Sequence, residues 1–365
     1  MYMYSIGVDL HKETVVIVVL DDKGEIVDRK TFSTKCKNLI KAYFSSYGLQ
    51  CQAAFESVGF YQWFWELVKP VVGKLCLADP FGIRAHAGRK AKTDRNDALL
   101  IAQLLHDNKL PVAYVPEEPV ASLRKLVRQR HSIAKNLARL RKALRWITLK
   151  TNLPGPGILA SDNAQKWLLA QEDKFSECDR KAARLDIDII ICLERALKDI
   201  EREIDGYIKK FPEMEKLRNL FKSIPGVGDI VAATIIAETG DITRFDDPGQ
   251  LSSYAGLCPR VSQSGESIHH GHISKMGPPL LRWVLQQAAW VAIRCSREAK
   301  RIFNRISRKA GTKKAATAMA RKLLVYAWSV ARRNQPFKWE TNTAEKETEN
   351  KKETMETMEV WCYQI

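Results

Sequence analysis

Short apolar runs alternate with turn residues over the first forty positions of the chain. YSIGVD (4–9) and TVVIVVLD (14–21) are rich in β-branched side chains, and EIVDRKTFST (25–34) alternates between apolar and polar positions. Such runs predict strands, and the DDKG turn between the second and third favours an antiparallel pair. The chain is therefore expected to open with a three-stranded antiparallel meander.

Helical spacing and further apolar runs follow the meander. KNLIKAYFSSYG predicts a helix that stops at its glycine, CQAAFES (51–57) a fourth strand, GFYQWFWELVKPVVG a second helix and KLCLAD (74–79) a fifth strand. From about residue 93, DRNDALLIAQLLHDN has the apolar spacing of an amphipathic helix. The order β-β-β-α-β-α-β-α is that of ribonuclease-H-like folds, which we expect here by analogy.

The middle and later parts of the chain are helical in period. Residues 119–150 and 176–220 are long and charged, and the second has apolar positions near a heptad seam, which predicts a two-helix arm or coiled coil; a plain helical bundle is the alternative. SIPGVGDIVAATIIAE (223–238) resembles a helix-hairpin-helix element. In such an element Gly226 and Gly228 would let backbone amides approach a phosphate.

The charge is strongly basic and uneven. The formal net charge of the 365 residues is +17, but residues 340–365 hold seven Glu and three Lys, so the preceding chain carries +21. Residues 121–150 hold ten Lys or Arg and no acid, and residues 259–335 hold sixteen against two Glu. This balance predicts a polyanionic partner, and the low-complexity acidic end predicts a disordered tail.

Other features exclude several classes of protein. No apolar run approaches the ~18–20 residues that cross a bilayer, and no basic segment precedes an apolar core near the start, so we expect a cytoplasmic protein with no membrane partner. The eight cysteines form no C-x-x-C pair. This argues against a zinc knuckle or a disulfide framework and predicts that most of them are buried small apolar residues.

Four carboxylates occupy related places in the predicted fold. Asp9 ends the first strand, Glu56 ends the fourth, and Asp94 and Asp97 share one face near the start of a helix. If the fold is ribonuclease-H-like, they meet at one edge of the sheet. Carboxylates that lie so close together repel one another and stay ionised only when cations neutralise them. Their hard oxygen ligands suit Mg²⁺ or Mn²⁺, and such ions can hold the attacking and leaving oxygens of a phosphoryl transfer.

Each acid alone has an ordinary interpretation. Asp9 suits a turn at a strand end, Glu56 a surface position and Asp94 a helix N-cap. The agreement of all four places with one fold favours the metal site. Lys92 and Arg95, beside the two aspartates, would then contact the nucleic-acid backbone.

A second polar cluster lies between residues 251 and 290. SQSGES places Ser262, Ser264 and Ser267 around Gly265, and no Ser-His-Asp triad follows from the spacing. An ordinary Ser/Gly loop is the default interpretation, and a serine nucleophile needs a route for its proton and nearby cations. Cations and histidines follow: Arg260, His269, His270, His272, Lys275 and Arg282. Zinc would need further ligands, so the histidines fit a solvent-facing or phosphate-facing loop better.

Seven motifs occur in an order that is specific to one family. IGVDLHK, FESVG, KTDRNDA, SIPGVG, YAGLCPR, QSG and HISKMGPPLLR span roughly residues 4–335. Together they resemble the DEDD-type transposases of the insertion-sequence "one-ten" family, the bridge-RNA-guided recombinases of bacterial mobile elements. The chain departs from the family pattern at Pro278-Pro279, which stiffens the approach to the next helix, and the acidic tail lies outside the resemblance.

The resemblance implies an architecture and a site. The domains are a RuvC-like domain (1–115), a coiled-coil arm (116–220), a transposase domain (221–338) and the tail (339–365). The four family acids correspond to Asp9, Glu56, Asp94 and Asp97. The catalytic serine corresponds to Ser264, the serine that precedes a glycine; Ser262 ranks well below it.

The resemblance also implies a mechanism and partners. The serine forms a covalent phosphoserine with DNA, assisted by the metal-bound acids, and two protomers of a dimer-built tetramer complete each active site. A structured bridge RNA pairs with target and donor DNA, so sequence choice lies in the RNA.

Three alternatives remain open on the sequence. A RuvC-type structure-specific nuclease would share the four acids without needing Ser264. A sugar-kinase or actin-like ATPase also starts with a strand and Gly-x-Asp, but LHKET lacks the glycine of a phosphate loop. An inactive nucleic-acid-binding scaffold would not need the acids and the serine.

Overall fold

The computed structural model describes residues 2–86, 94–153, 161–264 and 267–339. The chain divides into two compact units, Met1–Pro116 and Glu117–Ile365. The first is mixed α/β and the second is mostly helical, as predicted. Among the described residues, no helix has the length and apolar content that a membrane crossing requires.

The first unit is built on a five-stranded mixed sheet whose order is β3-β2-β1-β4-β5. β1 pairs antiparallel with β2 and parallel with β4, and β5 continues the parallel side. The antiparallel meander of β1–β3 and the two further strands, β4 and β5, agree with the predicted strand order. The sheet is consistent with a ribonuclease-H-like domain. The strands are β1 (Tyr4–Leu10), β2 (Thr14–Leu20), β3 (Ile26–Ser33), β4 (Cys51–Glu56) and β5 (Lys74–Ala78).

The two faces of this sheet bury different side chains, because successive residues of a strand point to opposite faces. On one face, Ile6 and Val8 pack with Phe44 and Phe64 of two helices. On the other, Val16 and Val18 meet the small residues of a third helix. The helices of this unit are α1 (Lys37–Tyr47), α2 (Gln62–Val68), α3 (Pro80–His86) and α4 (Asp94–His106). α3 was not predicted, and α2 is shorter than expected because the chain turns into a 3₁₀ helix at Lys69–Val71.

The second unit is a set of nine described helices and one hairpin. A single core joins the first turns of α5, the last turns of α7 and all later helices. Its helices are α5 (Val120–Lys150), α6 (Ser161–Ala170), α7 (Glu177–Lys209), α8 (Pro212–Lys222), α9 (Asp229–Thr239), α10 (Pro248–Tyr254), α11 (Pro279–Cys295), α12 (Arg297–Ala310) and α13 (Thr312–Arg333), and its strands are β6 (Pro259–Ser264) and β7 (Ser267–Ile273). The packed chain extends to Trp339, whose ring meets Tyr326.

α5 and α7 pair along their length, as the heptad pattern predicted. The seam of α7 that faces α5 includes Ala183, Ile187 and Ile190, which share a core with α5 residues Leu137 and Leu144. The predicted helix over 176–220 is wrong in one respect. It breaks after residue 209 and restarts as α8 at Pro212, because proline cannot donate a backbone hydrogen bond within a helix but suits its first turn. The boundary at residue 220 between arm and transposase domain stays a prediction.

The cysteines correct a second expectation. All seven in the described chain are free, in agreement with the absence of a disulfide framework there. Cys51 and Cys76 are buried as expected, but Cys178, Cys192 and Cys295 are exposed. These three lie on helices whose outward positions a count of cysteines cannot reveal.

Candidate active site and nucleic-acid interface

The carboxyl ends of β1 and β4 bring two predicted site residues side by side. Asp9 is the penultimate residue of β1 and is buried, and Glu56 is the last residue of β4. The parallel register runs from Tyr4 with Cys51 to Val8 with Phe55, so its next pair is Asp9 with Glu56. Paired residues of parallel strands point to the same face, which places both carboxyls on the α4 side.

Helix α4 crosses that face in close contact with β1. A Cβ on Gly7 would lie 2.1 Å from the Ala98 backbone oxygen and 2.8 Å from the Ala102 side chain, so only glycine fits there. Asp9 is two residues further along the same strand face. The close approach therefore delivers the first turn of α4, with Asp94 and Asp97, to the edge that carries Asp9.

His11 joins two of these carboxylates, and the sequence analysis did not single it out. Its Nε2 lies 2.9 Å from Asp9 Oδ2 and 3.5 Å from Asp94 Oδ1. One ligand atom from each of Asp9, His11 and Asp94 lies within 4.8 Å of the others. The signal was present in the spacing, because Asp9 and His11 are two residues apart at a strand end and so share a side.

The electrostatics of the cluster favour a cation. Burial raises the pKa of Asp9, His11 opposes that shift, and the charges of Asp94 and Asp97 add to it. A positive ion would stabilise the ionised form of a buried carboxylate that lies beside two others. This Asp-His-Asp cluster indicates a divalent metal site. Glu56 and Asp97 stand outside the three-residue group, one beside Asp9 in register and one a helical turn beyond Asp94.

The second cluster is a hairpin, where the sequence analysis expected a loop. β6 pairs antiparallel with β7, and Ser264 pairs with Ser267 at the turn end. The sequence analysis did not predict these two strands because polar residues occur at successive positions, without the apolar alternation of a half-buried strand. The side chains of Ser262, Ser264, His269 and His270, and residues 265–266 altogether, lie outside what the structure describes. Among the described side chains, His272 joins no group that could hold a metal.

Two loops interlock at the base of this hairpin. Gly256, after α10, has φ +67°, and a Cβ there would lie 2.1 Å from the Met276 oxygen. Gly277, before α11, has φ +88°, and its Cβ would lie 1.8 Å from the Tyr254 oxygen. Arg282 Nη1 then donates to the carbonyls of Ala255, Met276 and Gly277 at 3.1, 3.1 and 2.9 Å. The AGL and SKMG motifs thus fix where β6 begins and β7 ends.

These contacts give several predicted nucleic-acid residues a structural role. Arg282 is engaged by three carbonyls, and Gly226 (φ +83°) lies against α11, where its Cβ would meet the Ala288 oxygen at 2.4 Å. Gly228 is open, but Asp229 after it is paired with Lys222 at 2.7 Å. Their contacts with a phosphate stay predictions.

The remaining predicted contacts fall into two groups. Arg260 donates to the Ser274 carbonyl at 3.2 Å and is exposed, and Lys275 is exposed with φ +56°. Lys92 and the Arg95 side chain lie outside the described part of the chain.

Basic residues are concentrated on α5 and α12. On α5, Arg128 makes a two-pronged ion pair at 2.8 and 2.9 Å with Glu238, which is fully buried, while Arg130 and Arg141 pair with α7. On α12, Ala299 and its neighbours face the core. The opposite face of α12 exposes six cations: Arg297, Lys300, Arg301, Arg305, Arg308 and Lys309. α5 also exposes six cations besides Arg128, so both helices are candidates for a phosphate-binding surface: Lys125, Lys135, Arg139, Lys142, Arg145 and Lys150.

Comparison with known proteins decides the family. A DEDD transposase family of the IS110 type matches residues 6–151, and the IS116/IS110/IS902 transposase family matches residues 218–304. The chain is a transposase of the IS110 family. It is therefore an enzyme of DNA cleavage and strand transfer, and the first match contains Asp9, His11, Glu56, Asp94 and Asp97.

Individual relatives of this IS110-family transposase cover most of its length. The chain is 23% identical over 346 residues to the transposase for insertion sequence element IS1111A of Coxiella burnetii, with 91% of each chain covered. It is 27% identical over 270 residues to the pilin gene-inverting protein of Moraxella bovis, covering 72% and 74%. It is also 27% identical over 295 residues to y4qE of Sinorhizobium fredii, a protein named as a transposase. That alignment covers 73% of this chain and 72% of the relative.

Proposed function

We propose that this transposase cuts and rejoins DNA of a mobile element under the guidance of a structured RNA, with Ser264 as nucleophile and a Mg²⁺- or Mn²⁺-binding acidic cluster as its partner. The observation that carries the proposal is the convergence of Asp9, His11 and Asp94 within 4.8 Å at the carboxyl edge of the sheet. Asp97 and Glu56 complete a donor set of the kind that hard divalent ions take.

The acidic cluster supplies charge where phosphoryl chemistry needs it. Asp9 is the innermost ligand, held by β1, and Asp94 is the outermost, with 61% of its side chain exposed. Asp9, Glu56, Asp94 and Asp97 would hold a divalent ion there, and the ion would supply positive charge for the oxygens of a scissile phosphate. His11 lies between Asp9 and Asp94, with its Nε2 2.9 Å from the first and 3.5 Å from the second, and so helps to keep the two carboxylates close together.

Ser264 supplies the covalent step. Its Oγ bonds to the phosphorus of a DNA phosphodiester, the bond from phosphorus to the departing sugar oxygen breaks, and the serine proton passes to a neighbouring base or water. A hydroxyl of another strand then attacks the phosphoserine and releases the serine. Ser264 is the last residue of β6.

The guide RNA and the shared active site rest on the resemblance and on charge. Residues 1–339 carry a net charge of +21, which is enough positive charge to bind both DNA and RNA. The six exposed cations of α12 can contact a phosphate backbone without recognising bases. In an assembly where one protomer gives the acids and another gives the serine, mixing Asp94→Ala protein with Ser264→Ala protein restores strand exchange. If each protomer used its own residues, the mixture would stay inactive.

The RuvC-type nuclease is the second candidate, because the acidic cluster alone would serve it. The two functions separate in one experiment. Ser264→Ala abolishes strand exchange in a serine recombination mechanism and leaves cutting unchanged in a nuclease. Recombination by the Ser264→Ala variant at the wild-type rate would contradict our proposal. A purified transposase that carries no bound RNA would contradict RNA guidance.

A further inference from the structure

Two tryptophans of α11 are exposed on one side of that helix. Trp283 is 44% exposed and Trp290 is 40% exposed. Gln287 and Arg294 are exposed as well, and the four positions follow one another at intervals of 4, 3 and 4 residues, so they share one face of the helix. We call these four residues the α11 face. Aromatic rings that are exposed in a row, rather than singly, are typical of a binding surface.

The α11 face lies between the two helices that carry most of the exposed cations described above. The ring of Trp283 is 4.8 Å, centroid to centroid, from the ring of His131 on α5. The ring of Trp290 is 5.7 Å from the ring of Phe303 on α12. Each end of the face is therefore in contact with one of the two basic helices.

Positive charge borders the rings on both sides. Burial lowers the pKa of His131, and the charge of Lys135, one helical turn along α5, lowers it further. On α12, Lys300 is one turn before Phe303, and Arg294 belongs to the face itself. All three of these cations are exposed. An aromatic surface with such borders favours a polyanionic partner over an apolar protein surface.

The spacing of the two rings suits a single strand of nucleic acid. Trp290 is seven residues beyond Trp283, which is about 10.5 Å along the helix axis. That is the length of about three stacked nucleotides at roughly 3.4 Å each. Bases offer their flat faces to a protein ring only when they have left the duplex stack. Aromatic rings combined with cations are the means by which proteins bind single strands.

The activity of the family supplies such a strand. A transposase cuts DNA and joins the cut strand to another one, so the cut strand has to leave its complement during the reaction. Its bases are then unpaired, while its phosphates still need positive charge. The reaction therefore exposes unpaired DNA bases, whatever selects the target.

We infer that the α11 face binds single-stranded DNA, with bases stacked on Trp283 and Trp290 and phosphates beside the cations that border them. Stacking and charge do not distinguish one base from another, so the site accepts any sequence. The inference goes beyond the proposed function, because it requires neither Ser264, nor the metal, nor an RNA guide. Its tests measure binding without cleavage, so they succeed or fail independently of that function.

The first test separates stacking from charge in the wild-type chain. A fluorescently labelled oligothymidylate of about 12 nucleotides is compared, by anisotropy titration, with an abasic strand that has the same number of phosphates. We expect the oligothymidylate to bind about a hundredfold more tightly, because each of two stacked bases contributes about tenfold. Equal affinity for the two strands would overturn the inference.

The second test removes the rings. Trp283→Leu/Trp290→Leu keeps apolar side chains, so it should weaken oligothymidylate binding about a hundredfold and leave abasic-strand binding within about twofold of wild type. Trp283→Phe/Trp290→Phe keeps both rings and should recover most of the affinity. Trp146→Leu is the matched control, since Trp146 is 59% exposed on α5 and about 22 Å along the axis from His131. Circular dichroism melting checks that the variants fold.

Three results of the second test would contradict the site. Oligothymidylate binding by the double Leu variant at wild-type affinity would show that the rings contact no base. An equal loss in Trp146→Leu would show that the effect is not specific to the α11 face. Weaker binding of an oligouridylate together with unchanged oligothymidylate binding would assign the face to RNA.

The third test uses salt to examine the cations separately from the rings. Lys135→Gln/Lys300→Gln should reduce the slope of log binding constant against log salt by about 1.4, at about 0.7 for each single-strand phosphate contact. The double Leu variant should keep the wild-type slope, because a ring neutralises no phosphate. A slope that is unchanged in the Gln variant would contradict the placement of phosphates beside these cations.

Discussion

The two regions that carry the proposed chemistry are built in different ways. The acidic site at the edge of the first sheet is assembled from side chains that touch one another, with Asp9 buried and His11 bonded to it. The serine hairpin of the second unit depends on backbone contacts, because Gly256, Gly277 and Arg282 fix its base. The first region is thus held together by contacts between side chains, whereas the base of the second is fixed by close contacts of its backbone.

The largest effect should come from the innermost acid. Asp9→Asn keeps the shape of the side chain but removes the buried negative charge, so we expect DNA cleavage to fall about a thousandfold or more. Asp22→Asn, at an exposed turn, is the control and should be neutral. Cleavage by Asp9→Asn within tenfold of wild type would remove Asp9 from the site.

Next in size is the contact that positions α4. Gly7→Ala puts a methyl group 2.1 Å from the Ala98 oxygen, so α4 must shift and we expect a loss of about 3 kcal/mol in the free energy of unfolding of the first unit. Gly59→Ala meets open space and should change that energy by less than about 0.5 kcal/mol. Urea unfolding measures both, and equal stability of the two variants would contradict the close approach.

A glycine-to-alanine substitution at the base of the β6–β7 hairpin should disturb the hairpin but leave the acidic site intact. Gly277→Ala combines φ +88° with a Cβ 1.8 Å from the Tyr254 oxygen, which should cost about 1–3 kcal/mol and displace the hairpin. We expect strand exchange to be lost while Mn²⁺ binding, followed by calorimetry, is retained. Gly206→Ala, in open space on α7, is the control, and loss of metal binding by Gly277→Ala would mean that the effect is global.

The exposed cations of α12 should affect binding more gently. Replacing Lys300, Arg305 and Arg308 by Gln should lower the slope of log binding constant against log salt by about 2.7, if each contacts one phosphate. The control replaces Lys198, Arg202 and Lys209 of α7, two of which are paired with acids. Equal slopes for the two triple variants would argue that α12 faces no nucleic acid.

His11 should give the smallest change. His11→Ala leaves the carboxylates in place but removes the group that joins Asp9 to Asp94, so we expect metal affinity to fall about tenfold. Titration with Mn²⁺ measures it, and His11→Gln, which keeps a hydrogen-bond donor, should recover part of the loss. If His11→Ala lowered the Mn²⁺ affinity as much as Asp9→Asn does in the same titration, His11 would be a ligand equal to the acids.

The sequence predicted the first unit better than the second for physical reasons. β-branched runs and turn residues specify strands locally, so the five strands and the places of Asp9 and Glu56 could be read directly. The β6–β7 hairpin could not, since Ser, Gln and His carry no apolar alternation. The structural contacts of Arg282 and Gly226 could not be predicted either, because composition does not show that a carbonyl or another helix lies beside them. The contacts of His11 could not be predicted because they depend on which side of the chain a residue faces after packing.

One measurement tests the central claim that the acids and Ser264 act as two parts of one reaction. The purified transposase is incubated with its element DNA, guide RNA and Mg²⁺, denatured in detergent, and assayed for DNA covalently attached to protein. Our account predicts attachment in wild type, none in Ser264→Ala or Asp9→Asn, and retained attachment in Ser262→Ala, the serine two residues away on the same strand. Attachment that persists in Ser264→Ala would contradict the account.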